Sequence, residues 1–152
     1  MTTPVYATER LSRVFVDFLP LVEQHWAEVN EFDVPLDIDW DRYVRTDLAA
    51  GYHLTTVRLS GHLIGWAGFW IQPHIRHRTM LMAREDWYYI VPEHRKQGWG
   101  EQMFRSAEAA LEQRGVARIH MSCKVRQDHT QLFKKLDYRF YEKHFTKKLE
   151  PE

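Results

Sequence analysis

The residues of this 152-residue sequence best placed to do chemistry fall between positions 85 and 101. In VPEHRKQGWGEQMF, Arg95, Gly98 and Gly100 stand at a turn between a strand-like run and a helix-like one. Two glycines one residue apart where a helix begins leave free N–H groups and the positive helix end aimed at one spot. A pyrophosphate suits that spot, although glycine turns also serve plain geometry. A dinucleotide fingerprint would want glycine where Met103 stands, and a P-loop would want Gly-Lys-Ser/Thr, so neither motif is present. Arg95 and Lys96 add positive charge, or form an ordinary solvated basic turn. Just upstream lie two carboxylates, Glu85 and Asp86. Strand alternation places Arg84, Asp86 and Tyr88 on one face and Glu85, Trp87 and Tyr89 on the other, so only one acid faces a given site.

The surrounding elements must hold these groups in place. Apolar residues Val14, Phe15, Phe18, Leu21, Val22, Trp26 and Val29 recur at helical spacing from Leu11 to Asn30, with Pro20 expected to kink or divide the helix. The acidic connection EFDVPLDIDWDRY follows, and Asp39 is placed to cap a second helix running to about Ala50 and stopped by Gly51. The period then becomes strand-like in HLTTVRL and HLIGWAGFWI, a hairpin joined at Ser60-Gly61. A third strand is expected from about Thr79 to Val91, ended by Pro92. Met103, Ala107, Ala110 and Leu111 form the buried stripe of the next helix, with Gly115 as its cap. VARIHMSCKV then reads as a strand, QDHTQLFKKL as a short helix and YRFYEKHFTKKL as a last, alternating strand. The order argues one mixed α/β layered domain over 1–152.

Composition narrows the partners. Lys plus Arg and Asp plus Glu both total 21, so no general field favours nucleic acid or anionic membrane. The closing HFTKKL reads as a solvated edge. The single cysteine, Cys123, rules out an intrachain disulfide framework and is expected in the core. With no leader-like start and no apolar run long enough to cross a bilayer, a reducing cytoplasm is the expected location. His74 and His77 flank Arg76 without cysteine or carboxylate companions, so no metal site is expected.

The whole arrangement resembles the GNAT superfamily of N-acetyltransferases, whose signature Q/R-x-x-G-x-G/A follows the fourth strand. Arg95, Gly98 and Gly100 match it, and LFKKLDY resembles the family's L-Y-x-x-x-GF. DWYYIVPEHR together with EKHFTKKL is similar to compact members encoded by tailed phages. The resemblance implies a three-layer α+β fold around a mostly antiparallel sheet whose fourth and fifth strands splay apart. It implies acetyl-CoA as co-substrate, with amides from Gln97 to Glu101, including those of Gly98, Trp99 and Gly100, on the pyrophosphate. Main chain near Ile90 and Val91 meets the pantetheine arm. Arg95, Lys96 and a basic side chain such as Arg126 would meet phosphate, Trp99 would cover the cofactor or simply pack, and Phe133 would line the cofactor side.

A lysine-like amine, with pKa about 10.4, must lose a proton before it attacks. A carboxylate aligned with Asp86 commonly serves as base in the family, and Asp86 is chosen over Glu85, against the alternative of a structural ion pair. Phe133 stands where the family has its acid tyrosine, leaving Tyr138, Tyr141 or His129 as unranked substitutes. Asp137 replaces a glycine, so that turn is expected to differ. In such folds the connection between the first two helices shapes the acceptor pocket. Its acids Glu31, Asp33, Asp37, Asp39 and Asp41, with Trp40, Trp70 and Trp87, would suit a cationic amine, although capping and solvation explain the acids equally well. Many relatives pair, which makes the aromatic final strand a candidate homodimer interface. The reading from a different class is a phage-type protein that keeps the fold, is weak or inactive in catalysis and acts by binding a host partner.

Overall fold

In the computed structural model, which describes residues 2–30, 32 and 34–150, the strand-like runs form one five-stranded sheet. Its strands are β1 (Val5–Thr8), β2 (Tyr52–Leu59), β3 (His62–His74), β4 (His77–Ile90) and β5 (Val116–His120). They lie in sequence order, antiparallel except for the parallel β4–β5 pair. Four helices cover the sheet: α1 (Leu11–Val29), α2 (Trp40–Leu48), α3 (Trp99–Gln113) and α4 (Thr130–Lys135).

Aromatic contacts fix which face each helix takes. Trp66 of β3 is fully buried against Phe18 of α1, and Trp87 of β4 packs on Phe18 and on Tyr43 of α2. On the opposite face Tyr88 meets Phe104 of α3 and Phe133 of α4. The expected three-layer α+β arrangement with a mostly antiparallel sheet is therefore present. β4 and β5 pair only from Leu81↔Val116 to Arg84↔His120, while β4 continues to Ile90. Beyond Arg84 and His120 the two strands part, and the opening between them belongs to the large cavity of the site.

Several local expectations hold for the anticipated reasons. Asp39 accepts from the Arg42 N–H at 2.9 Å as the α2 cap, and Ser60 and Gly61 take φ of 50° and 82° in the hairpin turn. Pro20 neither ends nor divides α1, because it lies on the exposed side and leaves the buried stripe of Leu11, Val14, Phe18 and Val22 intact. The start of α1 has no cap of its own. Asp47 of α2 supplies one, taking the Leu11 N–H at 3.1 Å while its backbone carbonyl accepts Arg10 Nη1 at 2.7 Å.

Other expectations need correction. β1 was not anticipated, because a four-residue run gives no usable period. The left-handed residue after α2 is Ala50, φ 60°, rather than Gly51. β5 ends at His120 rather than running through Val125, since past that point it has no β4 partner. The final segment forms no strand. Phe140, Tyr141, Phe145 and Leu149 are exposed, and alternation gives a strand only where a neighbour accepts the ladder bonds. Asp137, where a changed turn was expected, takes φ 65° and keeps a tight turn, with Tyr138 N–H bonded to the Phe133 carbonyl at 2.8 Å. Aspartate tolerates that left-handed conformation better than most side chains.

Candidate functional site

Pro92 ends β4 and begins one 3-10 turn, after which the chain reverses through Lys96 (φ 63°) and Gly98 (φ 79°) into α3. Among the described residues, no hydrogen bond within the protein engages the main-chain N–H groups of 97 to 101, and the first bond of α3 runs from Gln102 N–H to the Gly98 carbonyl. Five donors and the positive helix end are thus presented together. A Cβ at Gly98 would meet nothing within 4 Å, and one at Gly100 only Ile90 Cδ1 at 3.8 Å. Gly100 and Lys96 line a cavity of about 1940 Å³ that also holds Glu85, Asp86, Tyr88, Ser122 and Phe133.

Arg95 is already occupied. Its two Nη atoms bind both oxygens of Glu28 at 2.6 and 2.8 Å, and Nε donates to the Ile90 carbonyl at 2.7 Å. This clasp fastens α1 to the end of β4 and holds Glu28 below the usual carboxylate range. Ile90 and Val91 are similarly engaged, since the Val91 N–H donates to Ile64 and the Val91 carbonyl accepts from His94. Any further contact to these two carbonyls uses their second lone pairs. Gln97 and Trp99 lie on the turn itself, with the Trp99 ring packed 5.6 Å from His94. Glu101 joins α3 to α4 by binding Lys135 at 2.6 Å and Arg105 at 3.0 Å. Arg126 reaches the Asn30 carbonyl at 2.8 Å and is not part of the cavity wall.

The two carboxylates are not sorted as simple alternation predicts. The register passes from Gly68↔Trp87 to Phe69↔Glu85, so Asp86 is an extra, bulged residue. It therefore shares the α1–α2 face with Trp87, whereas Glu85 and Tyr88 serve the other side. Asp86 Oδ2 accepts from Tyr43 at 2.7 Å and from Tyr52 at 3.0 Å, and Trp87 Nε1 donates to the Tyr52 hydroxyl at 2.9 Å. Burial raises the Asp86 pKa against hydrogen bonds from Tyr43, Trp70 and Tyr52 that favour the ionised form. Gly68 makes this cluster possible, since a Cβ there would lie 2.1 Å from the Tyr52 hydroxyl and 2.9 Å from the Trp87 ring.

Glu85 lies just past the last β4–β5 pair and accepts from Ser122 Oγ at 2.5 Å. Burial lifts its pKa to about 7, partly opposed by that hydrogen bond. A folded-state pKa above the unfolded one leaves stability intact below about pH 4.5 and erodes it as pH rises to about 7. Glu85→Gln is therefore expected to stabilise the protein at pH 8 by on the order of 1–3 kcal/mol, with no gain at pH 4. Denaturant titrations at both pH values measure this, and a gain independent of pH would contradict it.

Several participants were not singled out in the sequence: Tyr43, Tyr52, Ser122, Glu28, and His25, whose buried ring is held neutral with a pKa near 4. Alternation places Tyr88 on the face of Asp86, and the bulge puts it on the other. Of the acidic connection, Asp37 and Asp39 line the cavity and Asp41 faces a separate shallow cleft, while Glu31 and Asp33 lie outside the described residues. Trp40 packs on Phe15 and Phe18, and Trp70 on Tyr43 and Tyr52. Cys123 is half-buried at the cavity wall rather than in the core. The His74 and His77 rings lie 5.2 Å apart, and among the described residues no three His, Cys, Asp or Glu side chains converge as a metal site. No helix among them is long and apolar enough to cross a membrane.

The model of the Acetyltransferase (GNAT) family matches residues 16–145. Among solved structures, the chain is similar to a ribosomal-protein-alanine N-acetyltransferase from Brucella melitensis biovar Abortus 2308, at 19% identity and TM-score 0.71 over 95% of this chain and 99% of that one. An aminoglycoside acetyltransferase from an uncultured soil metagenomic sample shares 12% identity, TM-score 0.76, over 97% and 99%. A predicted acetyltransferase with acetyl-CoA from Clostridium acetobutylicum shares 12% identity, TM-score 0.70, over 96% of each chain. At such identities these structures show a common fold. No curated protein matches the sequence.

Proposed function

The chain belongs to the GNAT family of acetyltransferases, acyl-CoA-dependent enzymes, and on that premise we propose that it moves an acetyl group from acetyl-CoA directly to a primary amine, as a single domain and without a covalent enzyme intermediate. The observation that carries this reading is the row of free N–H groups at 97–101, open at Gly100 towards a cavity that reaches two buried carboxylates. Acetyl-CoA supplies an activated acyl group, its diphosphate suited to those amides and to Lys96. Asp86, on the α1–α2 side, takes the proton of the attacking amine, while Tyr43 and Tyr52 hold its carboxylate in position. Glu85 is the second candidate for that role. Arg95 acts by bracing α1 against the turn, and Arg126 by holding the segment after β5 to the end of α1.

Asp37 and Asp39 line the same cavity as Tyr43 and Trp87, which favours a cationic acceptor. Structural neighbours are named for acceptors as different as aminoglycosides, ribosomal-protein alanine and glucosamine-6-phosphate, so the choice rests on this chain's own acids. Kinship with compact phage-encoded members rests on DWYYIVPEHR and EKHFTKKL and stays within this proposal, as does a cytoplasmic location, which suits the free thiol of Cys123. A second reading, a fold-retaining protein that works by docking on a partner, draws on the exposed Phe140, Tyr141, Phe145 and Leu149; a second copy of the chain is one such partner. Calorimetry with acetyl-CoA followed by thiol-release assays over basic, neutral and acidic amines separates these readings. Binding with release on basic amines is expected. Binding without release on any small amine or protein would favour the second reading, and preference for acidic acceptors would refute the cationic assignment.

A further inference from the structure

The cavity wall on the α3–α4 side carries a short polar chain made of Tyr88, Ser122 and His129. Phe133, at the position where the family resemblance places a tyrosine, is buried and offers no proton. Its ring packs 6.2 Å from that of Tyr88, which enters the same space from β4. The Tyr88 hydroxyl lies 3.0 Å from the Ser122 carbonyl and 2.8 Å from His129 Nδ1.

These distances order the protons. A carbonyl can only accept, so the Tyr88 O–H points to Ser122 and His129 Nδ1–H donates to the phenol oxygen; this arrangement satisfies all three groups. The Tyr88 hydroxyl thus stands on the cavity wall four residues beyond the last β4–β5 pair, its proton resting on the Ser122 carbonyl. Burial raises the Tyr88 pKa and lowers that of His129, so both stay neutral in ordinary conditions.

On the assumption that the thioester enters through this opening, as the proposed function requires, we propose that Tyr88, positioned by His129, supplies the proton taken up by the departing sulfur. As the amine nitrogen bonds to the acyl carbon and the carbon–sulfur bond breaks, the amine proton goes to Asp86, while the Tyr88 O–H swings from the Ser122 carbonyl to the sulfur and gives up its proton there. His129 Nδ1–H steadies the phenolate until water returns its proton. Tyr88 is thus a catalytic residue in this scheme, and His129 a positioning one.

Binding provides a test that does not depend on turnover. At pH 8 part of the CoA thiol, pKa about 8.5, is ionised and accepts a hydrogen bond strongly, whereas desulfo-CoA has no sulfur. Calorimetry on the full chain is expected to show CoA binding about tenfold tighter than desulfo-CoA, and Tyr88→Phe removing that difference while leaving desulfo-CoA affinity unchanged. His129→Leu should also remove it, and His129→Asn, whose amide N–H can replace Nδ1–H, should restore most of it. Thermal melts establish that each variant folds; the Phe ring preserves the packing on Phe104 and Phe133. An unchanged CoA preference in Tyr88→Phe, or equal loss for both ligands, would overturn the assignment of Tyr88 alone. Failure of the unaltered protein to bind either ligand would instead overturn the cofactor site on which the assignment rests.

Discussion

Asp86→Asn is expected to lower kcat by about 10² to 10⁴ near pH 7, the range a positioned base contributes. The substitution preserves size, and an amide oxygen can still accept from Tyr43 and Tyr52, so the cluster that places the side chain should survive. What disappears is a site able to take a proton. The loss should therefore shrink as pH approaches the pKa of the acceptor, about 10.4 for a lysine-like amine, where the nucleophile is already neutral. Steady-state rates of wild type and variant from pH 6 to 10 measure this. A deficit of constant size, accompanied by a lowered melting temperature, would mark Asp86 as a structural acid instead. If Glu85 is the base, Glu85→Gln and not Asp86→Asn will show the converging profile.

Gly100→Leu is expected to weaken acetyl-CoA binding by about 100-fold, corresponding to two lost charge-assisted hydrogen bonds of roughly 1.5 kcal/mol each. The protein itself has room for the change. Only Ile90 Cδ1, at 3.8 Å, stands near the new Cβ, and leucine is the better helix former in the first turn of α3 by somewhat under 1 kcal/mol. Affinity and stability should therefore move in opposite directions, a result that simple misfolding would not give. Calorimetry paired with thermal melts decides it; unchanged affinity would show that the diphosphate is not held at this turn. Gly98 is a less clean target because its φ of 79° strains any other residue.

The glycine turn could be located in the sequence because its geometry is local: a strand-ending proline, two glycines and an amphipathic helix lie within a dozen residues. The same holds for the Ser60-Gly61 hairpin and the Asp39 cap. What could not be read there depends on contacts between distant parts of the chain. Glu28 claims Arg95 from 67 residues away, and nothing near either residue signals the pairing. Alternation along β4 assumes an unbroken ladder, so the bulge at Asp86 reverses the sorting of its neighbours without changing a letter of the pattern. YRFYEKHFTKKL failed for a related reason, since its period requires a neighbouring strand edge that the fold does not pair with it. His129 can be picked from the sequence as a substitute for the missing tyrosine, but its contact with Tyr88 cannot, because the two meet only in the folded protein.

Gly68 has a bearing on how this protein can change. A single methyl there would collide with the Tyr52 hydroxyl and the Trp87 ring, so position 68 accepts a side chain only if those two rings change with it. The 34–39 connection lines the same cavity, but Leu36 and Ile38 also pack against the core and Asp39 caps α2, so there too only part of the surface is free of a structural task. The cluster around Asp86 is thus interlocked, and any remodelling of it takes several residues in concert.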